Sequence, residues 1–518
     1  MPMLDSALHA WRDAAGWTVS RARGYTLAAL TLDPASPTPL NRQLYEAIRG
    51  AILTKQLHAG SRLPSTRSLA ADLQVSRNTV LLAFEQLLGE GYLESRTGSG
   101  TFVAGTVPDE VLRTGTRRGA QATGAAPVRR PVARRALPAT IMTTSDKRRA
   151  FEPTLPALDL FPMQLWTRLI TKQWSRNGPA LLDSLSYGDA AGDPRLRSAI
   201  AQYVGAARGV ACSAEQVIIT NGLQHGLEMI CRVLLEPGER VWFEDTGYPA
   251  ARATFAAAGA QVVLVPVDAE GLDVEAGLAK CATPRLIYLT PSHQFPLGVT
   301  MPLPRRMKLL EAARRSDAWI LEDDYDGDYR HRTGPVPALH GLDTDGRVIY
   351  VGTFSKSLFP ALRLGYIIVP PAVVETFMRA RALAGRTLPA VDQLVVADFI
   401  ELGHFERHIR RMRAAYRERQ EALVESAAKY LRGLAVVGPT EAGMHSLAWL
   451  ERIDDVAASR AAAEENLEAA ALSAFCGEVQ LPDALVLGYG AVTPRQIRVA
   501  TEALGRALER ARKRGSRP

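Results

Sequence analysis

Gly352-Thr353-Phe354-Ser355-Lys356, followed by Leu362-Arg363-Leu364-Gly365-Tyr366, decides how this chain is read. The stretch follows an apolar run, Val348 to Val351, with the length and composition of a buried strand. Lys356 therefore stands in a turn at a strand end, flanked by the hydroxyls of Thr353 and Ser355, with Arg363 seven residues on. A lysine amine in that position can hold an aldehyde as a Schiff base. Thr353, Ser355 and Arg363 carry donors for the oxygens of a phosphate beside it. A lone Ser-Lys pair in a polar turn is more often a surface lysine, so the surroundings decide.

Working outward, short apolar runs recur at Val217 to Thr220, Arg240 to Phe243, Val262 to Val265, Leu286 to Thr290, Trp319 to Leu321 and Leu364 to Val369. Helical patterns such as Leu223 to Leu235 and Arg305 to Arg315 lie between some of them. Alternation of this kind predicts an α/β domain with a mainly parallel sheet, whose ligands gather at the carboxyl ends of the strands. Three motifs fall there. Asn221-Gly222-Leu223-Gln224 opens a helix after a strand, where backbone N–H groups can approach a phosphate. Asp245-Thr246-Gly247-Tyr248-Pro249 offers Tyr248 either for stacking on an aromatic ring or for packing. Glu322-Asp323-Asp324-Tyr325-Asp326 crowds four acids around a tyrosine. A solvated acidic loop is the plain reading. The functional one gives Asp323 a cationic partner such as a protonated pyridine nitrogen, and lets Tyr325 donate to a phenolate-like oxygen.

Upstream lies a different pattern. Leu40, Leu44, Ala47, Ile48, Ala51 and Ile52 recur at helical spacing. Ser65 is placed to cap a second helix and Ser76 a third, which carries Val80, Ala83, Phe84, Leu87 and Leu88 and stops at Gly91. Tyr92 to Ser95 and Thr101 to Val103 flank Arg96-Thr97-Gly98-Ser99-Gly100 as a hairpin. Three helices and a hairpin, mainly α with a β-hairpin wing, predict a winged helix-turn-helix. Its third helix presents Arg77, Asn78 and Thr79 to base edges and phosphates, while Arg62, Ser65, Arg67 and Arg96 hold the backbone.

The 518 residues exceed one ordinary core and suggest two to four domains. Their order is an N-terminal extension (1–38), the winged head (39–104), a basic stretch (105–150) and a large body (151–518). Residues 105–150 hold ten basic and three acidic side chains, a local excess of +7 within a net charge of +8. The stretch is rich in Ala, Gly, Thr and Pro and reads as a flexible linker, either solvated or drawn weakly to DNA phosphates. No apolar run approaches the ~20 residues of a membrane helix, and Asp5, His9, Arg12 and Asp13 exclude a secretory signal. A cytoplasmic protein without a membrane partner is expected. Cys212, Cys231, Cys281 and Cys476 lack paired spacing, which argues against zinc and gives no disulfide framework.

Two resemblances follow. Gly60-Ser61-Arg62-Leu63-Pro64-Ser65-Thr66-Arg67-Ser68-Leu69-Ala70 and Val75-Ser76-Arg77-Asn78-Thr79-Val80 resemble the GntR family of winged-helix regulators, which bind double-stranded operator DNA as dimers. This implies Arg62, Arg67, Arg77, Asn78, Thr79 and the wing glycines Gly98 and Gly100 as contacts. From about residue 155 the chain is similar to fold-type I, aspartate-aminotransferase-like proteins that bind pyridoxal 5′-phosphate. That implies Lys356 as the aldimine lysine, Asp323 on the pyridine nitrogen and Tyr325 on the ring hydroxyl. Gly222, Leu223, Gln224, Thr353, Ser355 and Arg363 would hold the phosphate, with Tyr248 over the ring. Tyr187, ahead of Gly188-Asp189-Ala190-Ala191-Gly192, would reach the neighbour's phosphate in a homodimer. A GntR head, a long linker and such a body together resemble the MocR subfamily of bacterial regulators. Thr290-Pro291-Ser292-His293-Gln294-Phe295-Pro296-Leu297-Gly298 is close to its patterns.

Two departures from working enzymes stand out. Phe295 occupies the place where many aminotransferases carry the asparagine that touches the ring oxygen, leaving His293 or Gln294 for that contact. Asp483-Ala484-Leu485-Val486-Leu487-Gly488-Tyr489-Gly490 lacks the arginine that clamps a substrate α-carboxylate, and Arg495 and Arg498 read as exposed helix residues. The expectation is a regulator, not an enzyme in turnover. Its body senses a small amine or amino acid through aldimine formation, or the cofactor itself, with slow half-transamination left open. The linker also fits exchange of heads within a homodimer. The competing readings are an aminotransferase carrying an accessory DNA-binding head, and a DNA-binding protein whose body has lost its cofactor.

Overall fold

The computed structural model describes residues 32–96, 98–105, 149–175, 186–330, 336–385 and 388–515. Most of the N-terminal extension and of the basic stretch lies outside them. The chain divides into two compact units, Met1–Pro131 and Val132–Pro518.

In the head, α1 (Leu40–Leu53), α2 (Thr66–Asp72) and α3 (Arg77–Gly89) precede an antiparallel hairpin of β1 (Leu93–Arg96) and β2 (Gly100–Val103). Each helix buries one apolar stripe. Leu44 and Ile48 meet Leu69, Val80, Phe84 and Leu87, and Val103 of the wing closes the cluster. Both expected caps form: Ser65 Oγ accepts from the Ser68 N–H and Ser76 Oγ from the Thr79 N–H, each at 3.1 Å. Such caps satisfy N–H groups that the helix cannot.

The body is built on an eight-stranded sheet. Its strands are β3 (Val217–Thr220), β4 (Arg240–Asp245), β5 (Gln261–Asp268), β6 (Gly271–Leu272), β7 (Leu286–Leu289), β8 (Trp319–Asp323), β9 (Val348–Thr353) and β10 (Gly365–Ile368), in the order β3-β10-β9-β8-β7-β4-β5-β6. The run β9-β8-β7-β4-β5 is parallel, whereas β10 is antiparallel to both neighbours. Central strands read as unbroken apolar runs because helices cover both faces. In β3, for example, Val217 and Ile219 pack on one layer and Ile218 on the other.

A second, antiparallel sheet goes beyond the sequence expectation: β11 (Ala435–Val437), β12 (His445–Leu450), β13 (Ala470–Ala471) and β14 (Ala484–Gly488), in the order β11-β12-β14-β13. One face rests on the helices His404–Tyr430 and Pro494–Gly515, through Ala448, Leu485 and Leu487. From the other face, Leu447, Ala484 and Val486 join Phe295, Tyr325, Leu472 and Phe475. This small sheet thus walls the carboxyl ends of the large one.

Candidate functional site

Lys356 lies in the single helical turn Phe354–Ser357 that directly follows β9, whose last residue, Thr353, caps it by accepting from the Ser355 N–H at 3.1 Å. The strand end and the cap together fix where the lysine leaves the backbone. Asp323 ends the adjacent strand β8, paired in register with Val351. Burial pushes the Lys356 amine down to about 8, against the opposing pull of Asp326, Asp323 and Glu152. An amine with that value is partly neutral near physiological pH, as a nucleophile must be.

Gly222 and Arg363 form a candidate phosphate cradle at the carboxyl end of β3. Gly222 opens the helix Gly222–Leu234 at φ +76°, a conformation that favours glycine, and Asn221 makes no side-chain cap. The first N–H groups of that helix, at Gly222, Leu223 and Gln224, are therefore claimed by no cap. A Cβ at Gly222 would sit 3.6 Å from the Arg363 guanidinium, whose Nη2 lies 3.5 Å from the Asn221 carbonyl. Antiparallel β10 makes this meeting, since Gly365 pairs with Thr220 on one side and Thr353 on the other. The Gln224 side chain is turned away, donating to Thr254 Oγ1 at 2.8 Å, so only its backbone faces the cradle. Tyr187 is 78 % exposed.

The acidic run proves not to be a solvated loop. All four carboxylates are buried, and each has its own partner. Glu322 accepts from the Leu339 and His340 N–H groups at 2.8 Å each. Asp324 is clamped by Arg208 Nε at 2.6 Å and Nη2 at 3.1 Å, and accepts from the Tyr350 hydroxyl at 2.6 Å. Asp326 accepts from His293 Nδ1 at 2.9 Å. Asp323 accepts from the Tyr288 hydroxyl at 2.7 Å, and burial pushes its carboxyl up to about 7. A protonated pyridine nitrogen beside it would offset the cost of holding this buried carboxyl ionised. The cradle and the acid both fit a phosphorylated pyridine.

His293 and Gln294 separate clearly. Gln294 Nε2 donates to the Thr246 and Phe295 carbonyls, away from Tyr325. His293 Nδ1 lies 3.1 Å from the Tyr325 hydroxyl. His293 Nδ1 lies between the Asp326 carboxylate and the Tyr325 hydroxyl, and Tyr325 is itself hydrogen-bonded to Asp326. Phe295 forms an apolar wall, its ring edge-on to Tyr325 and Tyr248 at 5.9 and 6.2 Å. Arg495 and Arg498 are exposed on the C-terminal helix, as expected.

One residue escaped the sequence reading altogether. Lys356 Nζ donates to Thr154 Oγ1 at 2.8 Å. Thr154 and Phe151 are non-glycine residues at φ +63° and +72°. Left-handed backbone at such residues costs about 1–3 kcal/mol each and persists only where the surroundings impose it. The Thr-Leu-Pro context carries no hint of this contact.

In the head, Arg62, Ser65, Arg67, Arg77, Asn78, Arg96, Gly98 and Gly100 are exposed, and Thr79 is half-buried. Arg77 and Asn78 open α3 side by side. The Thr79 hydroxyl is engaged with Ser76 Oγ at 2.8 Å. Arg96 pairs with Glu94 and lies 4.6 Å over the Phe102 ring, which props it on the wing. The Arg62 guanidinium packs against Gly100, where a Cβ would come within 3.1 Å.

Residues 40–103 match the family described as bacterial regulatory proteins, gntR family, and residues 182–504 match aminotransferase class I and II. The probable rhizopine catabolism regulatory protein MocR of Rhizobium meliloti is 41% identical over 92% of this chain and 96% of its own length. The HTH-type pyridoxine biosynthesis transcriptional regulator PdxR of Corynebacterium glutamicum is 30% identical, over 89% and 94%. Among solved structures, the α-aminoadipate aminotransferase LysN of Thermus thermophilus, complexed with N-(5′-phosphopyridoxyl)-L-leucine, superposes with a TM-score of 0.64 at 28% identity. That match covers 70% of this chain and 92% of LysN. Among the described residues, no helix is long and apolar enough to cross a membrane.

Proposed function

Because the chain belongs to the MocR-type transcriptional regulators, which join a GntR-type head to an aminotransferase class I and II body, we propose that its body is a pyridoxal 5′-phosphate-dependent sensor that governs how two heads meet operator DNA. When bound, the cofactor supplies an aldehyde reactive toward primary amines and a chromophore. Lys356 is its attachment point. The N–H groups of Gly222, Leu223 and Gln224, with Thr353, Ser355 and Arg363, bind the phosphate. Asp323 holds the pyridine nitrogen protonated, Tyr325 donates to the ring oxygen, and Tyr248 lies over the ring. Tyr187 reaches the neighbour's site in a homodimer. Arg77, Asn78 and Thr79 read bases, while Arg62, Ser65, Arg67, Arg96, Gly98 and Gly100 follow the backbone.

The observation that carries the reading is the pairing of Lys356, its amine held down to about 8, with a buried Asp323 pushed up to about 7 on the next strand. A phosphorylated pyridine aldehyde would meet both groups, the amine at its carbonyl carbon and the carboxylate at its ring nitrogen. A small amine or amino acid, or the cofactor itself, acts as effector by favouring one arrangement of the heads over another. A regulator is favoured over an aminotransferase in turnover by Phe295, an apolar wall where a polar contact to the ring is usual, and by the exposed Arg495 and Arg498.

Absorbance tests the reading. The purified chain given pyridoxal 5′-phosphate is expected to gain a visible band that Lys356→Ala lacks. With an amino donor and a keto acid it should show a spectral change without steady turnover. Many turnovers per second would establish the aminotransferase reading, and a colourless wild type would establish a body without cofactor.

A further inference from the structure

Resting on the reading of α3 as the helix that meets base edges, we propose that Leu81 and Leu82 also read sequence, by packing on the C5-methyl group of a thymine in the major groove.

The helix has two faces of opposite character. Val80, Ala83, Phe84 and Leu87 are buried in the core of the head. Arg77, Asn78, Leu81, Leu82 and Glu85 are exposed. At about 100° per residue the two sets lie on opposite sides of the helix. Leu81 stands one turn beyond Arg77 and Leu82 one turn beyond Asn78, so each leucine neighbours a polar side chain on the same face. The pair thus continues the surface that Arg77 and Asn78 begin. Leu81 is 40 % exposed and Leu82 44 %, and among the described residues of the head no other large apolar side chain is left so open. The exposed positions of α1 and α2 carry Arg42, Glu46, Arg67, Ser68, Asp72 and the small Ala71. A lone exposed leucine is ordinary. Two adjacent ones, confined to the helix that carries Arg77 and Asn78, point to a contact made by that helix.

The chemistry of the groove selects the partner. The major-groove edges of the base pairs offer ring-nitrogen and carbonyl acceptors, amino donors, and one apolar group, the thymine methyl. A leucine side chain has neither donor nor acceptor, so the methyl is the feature it can distinguish. Arg77 is suited to guanine and Asn78 to adenine. Four residues of helix advance about 6 Å, just under two base-pair steps of about 3.4 Å each. The thymine is therefore expected within about two base pairs of the base met by Arg77. Glu85 limits the reading segment, since its carboxylate, one turn beyond Leu81, is repelled by phosphates. The helix enters by its first turns, as recognition helices do.

The test uses the full chain and the duplex it prefers from a random pool, with each thymine in turn replaced by deoxyuridine, which lacks only the C5-methyl group. In the wild type, replacement at one thymine or more is expected to weaken binding about fourfold, the worth of one buried methyl group. Leu81→Ala or Leu82→Ala should lose at least as much on the thymine duplex and be indifferent to that replacement. Both side chains are exposed, so alanine leaves the core of the head intact. A wild type indifferent to every replacement, or losses that persist unchanged in both variants, overturns the methyl reading, while Arg77→Ala still weakens binding. Variants that change the oligomeric state and leave duplex affinity unaltered make the pair a protein contact and overturn it too. Undiminished affinity in Arg77→Ala overturns the base-reading role of α3, and this proposal with it.

Discussion

Replacing Asp323 by asparagine should make the cofactor-free body more stable as pH rises, relative to wild type. The carboxyl is 4 % exposed and is pushed from 3.8 up to about 7, burial being the first cause. A raised acid holds its proton more tightly folded than unfolded. Its contribution to stability is full below pH about 4 and is lost as pH climbs to about 7. The loss is about 1.4 kcal/mol per pH unit across that window, roughly 4 kcal/mol in all. Asparagine can still accept from Tyr288, but its buried amide lacks an acceptor and costs about 1–3 kcal/mol at every pH. That fixed cost cancels when two pH values are compared. Between pH 5 and pH 8 the Asp323→Asn variant should gain about 2–3 kcal/mol on wild type, a relative melting shift of about 3 °C for a body of this size. Thermal unfolding followed by tryptophan fluorescence measures it, because residues 32–105 contain no tryptophan and the described tryptophans all lie in the body. The same variant should bind pyridoxal 5′-phosphate more weakly. A difference that stays constant from pH 5 to pH 8 would refute the reasoning, since Asp323 would then be an ordinary carboxylate.

Three further outcomes are expected. Arg77→Ala should weaken binding to duplexes selected from a random pool by about 5- to 150-fold, the worth of one bidentate base contact, while the cofactor band is unchanged; mobility shift and absorbance read the two. Ser76→Ala removes the acceptor for the Thr79 N–H and should cost about 1 kcal/mol, visible as roughly fivefold faster hydrogen exchange at that amide. Arg208→Met leaves the buried Asp324 unpaired and should destabilise the body by about 3–5 kcal/mol in urea, most of it restored in the double variant Arg208→Met with Asp324→Leu.

Local chemistry was legible and distant chemistry was not. The caps at Ser65 and Ser76, the wing, and the strands that end at Thr220, Asp323 and Thr353 follow from periodicity and turn residues within a few positions. The meeting of Gly222 with Arg363 was legible because its parts are motif-like, a glycine opening a helix and an arginine after a strand. The partners of the acidic run were hidden, because Arg208 lies 116 residues from Asp324 in the chain and Tyr288 lies 35 from Asp323. Thr154 was hidden twice: it is 202 residues from Lys356, and no propensity rule places threonine at positive φ. The small antiparallel sheet escaped because β11 and β13 are two or three residues long, too short for a period to register.

The reversed strand β10 has a kinetic consequence. Among the described residues, β3 is an edge strand whose sole ladder in the sheet is with β10, so Val217 waits for Ile368, about 150 positions later in the chain. Loops of that length close slowly, and contacts that depend on them form late. Gly222 and Arg363 face each other across that closure. On the proposed reading, a chain not yet folded through β10 would carry the lysine without the place for the phosphate, so cofactor uptake would report closure of this part of the sheet.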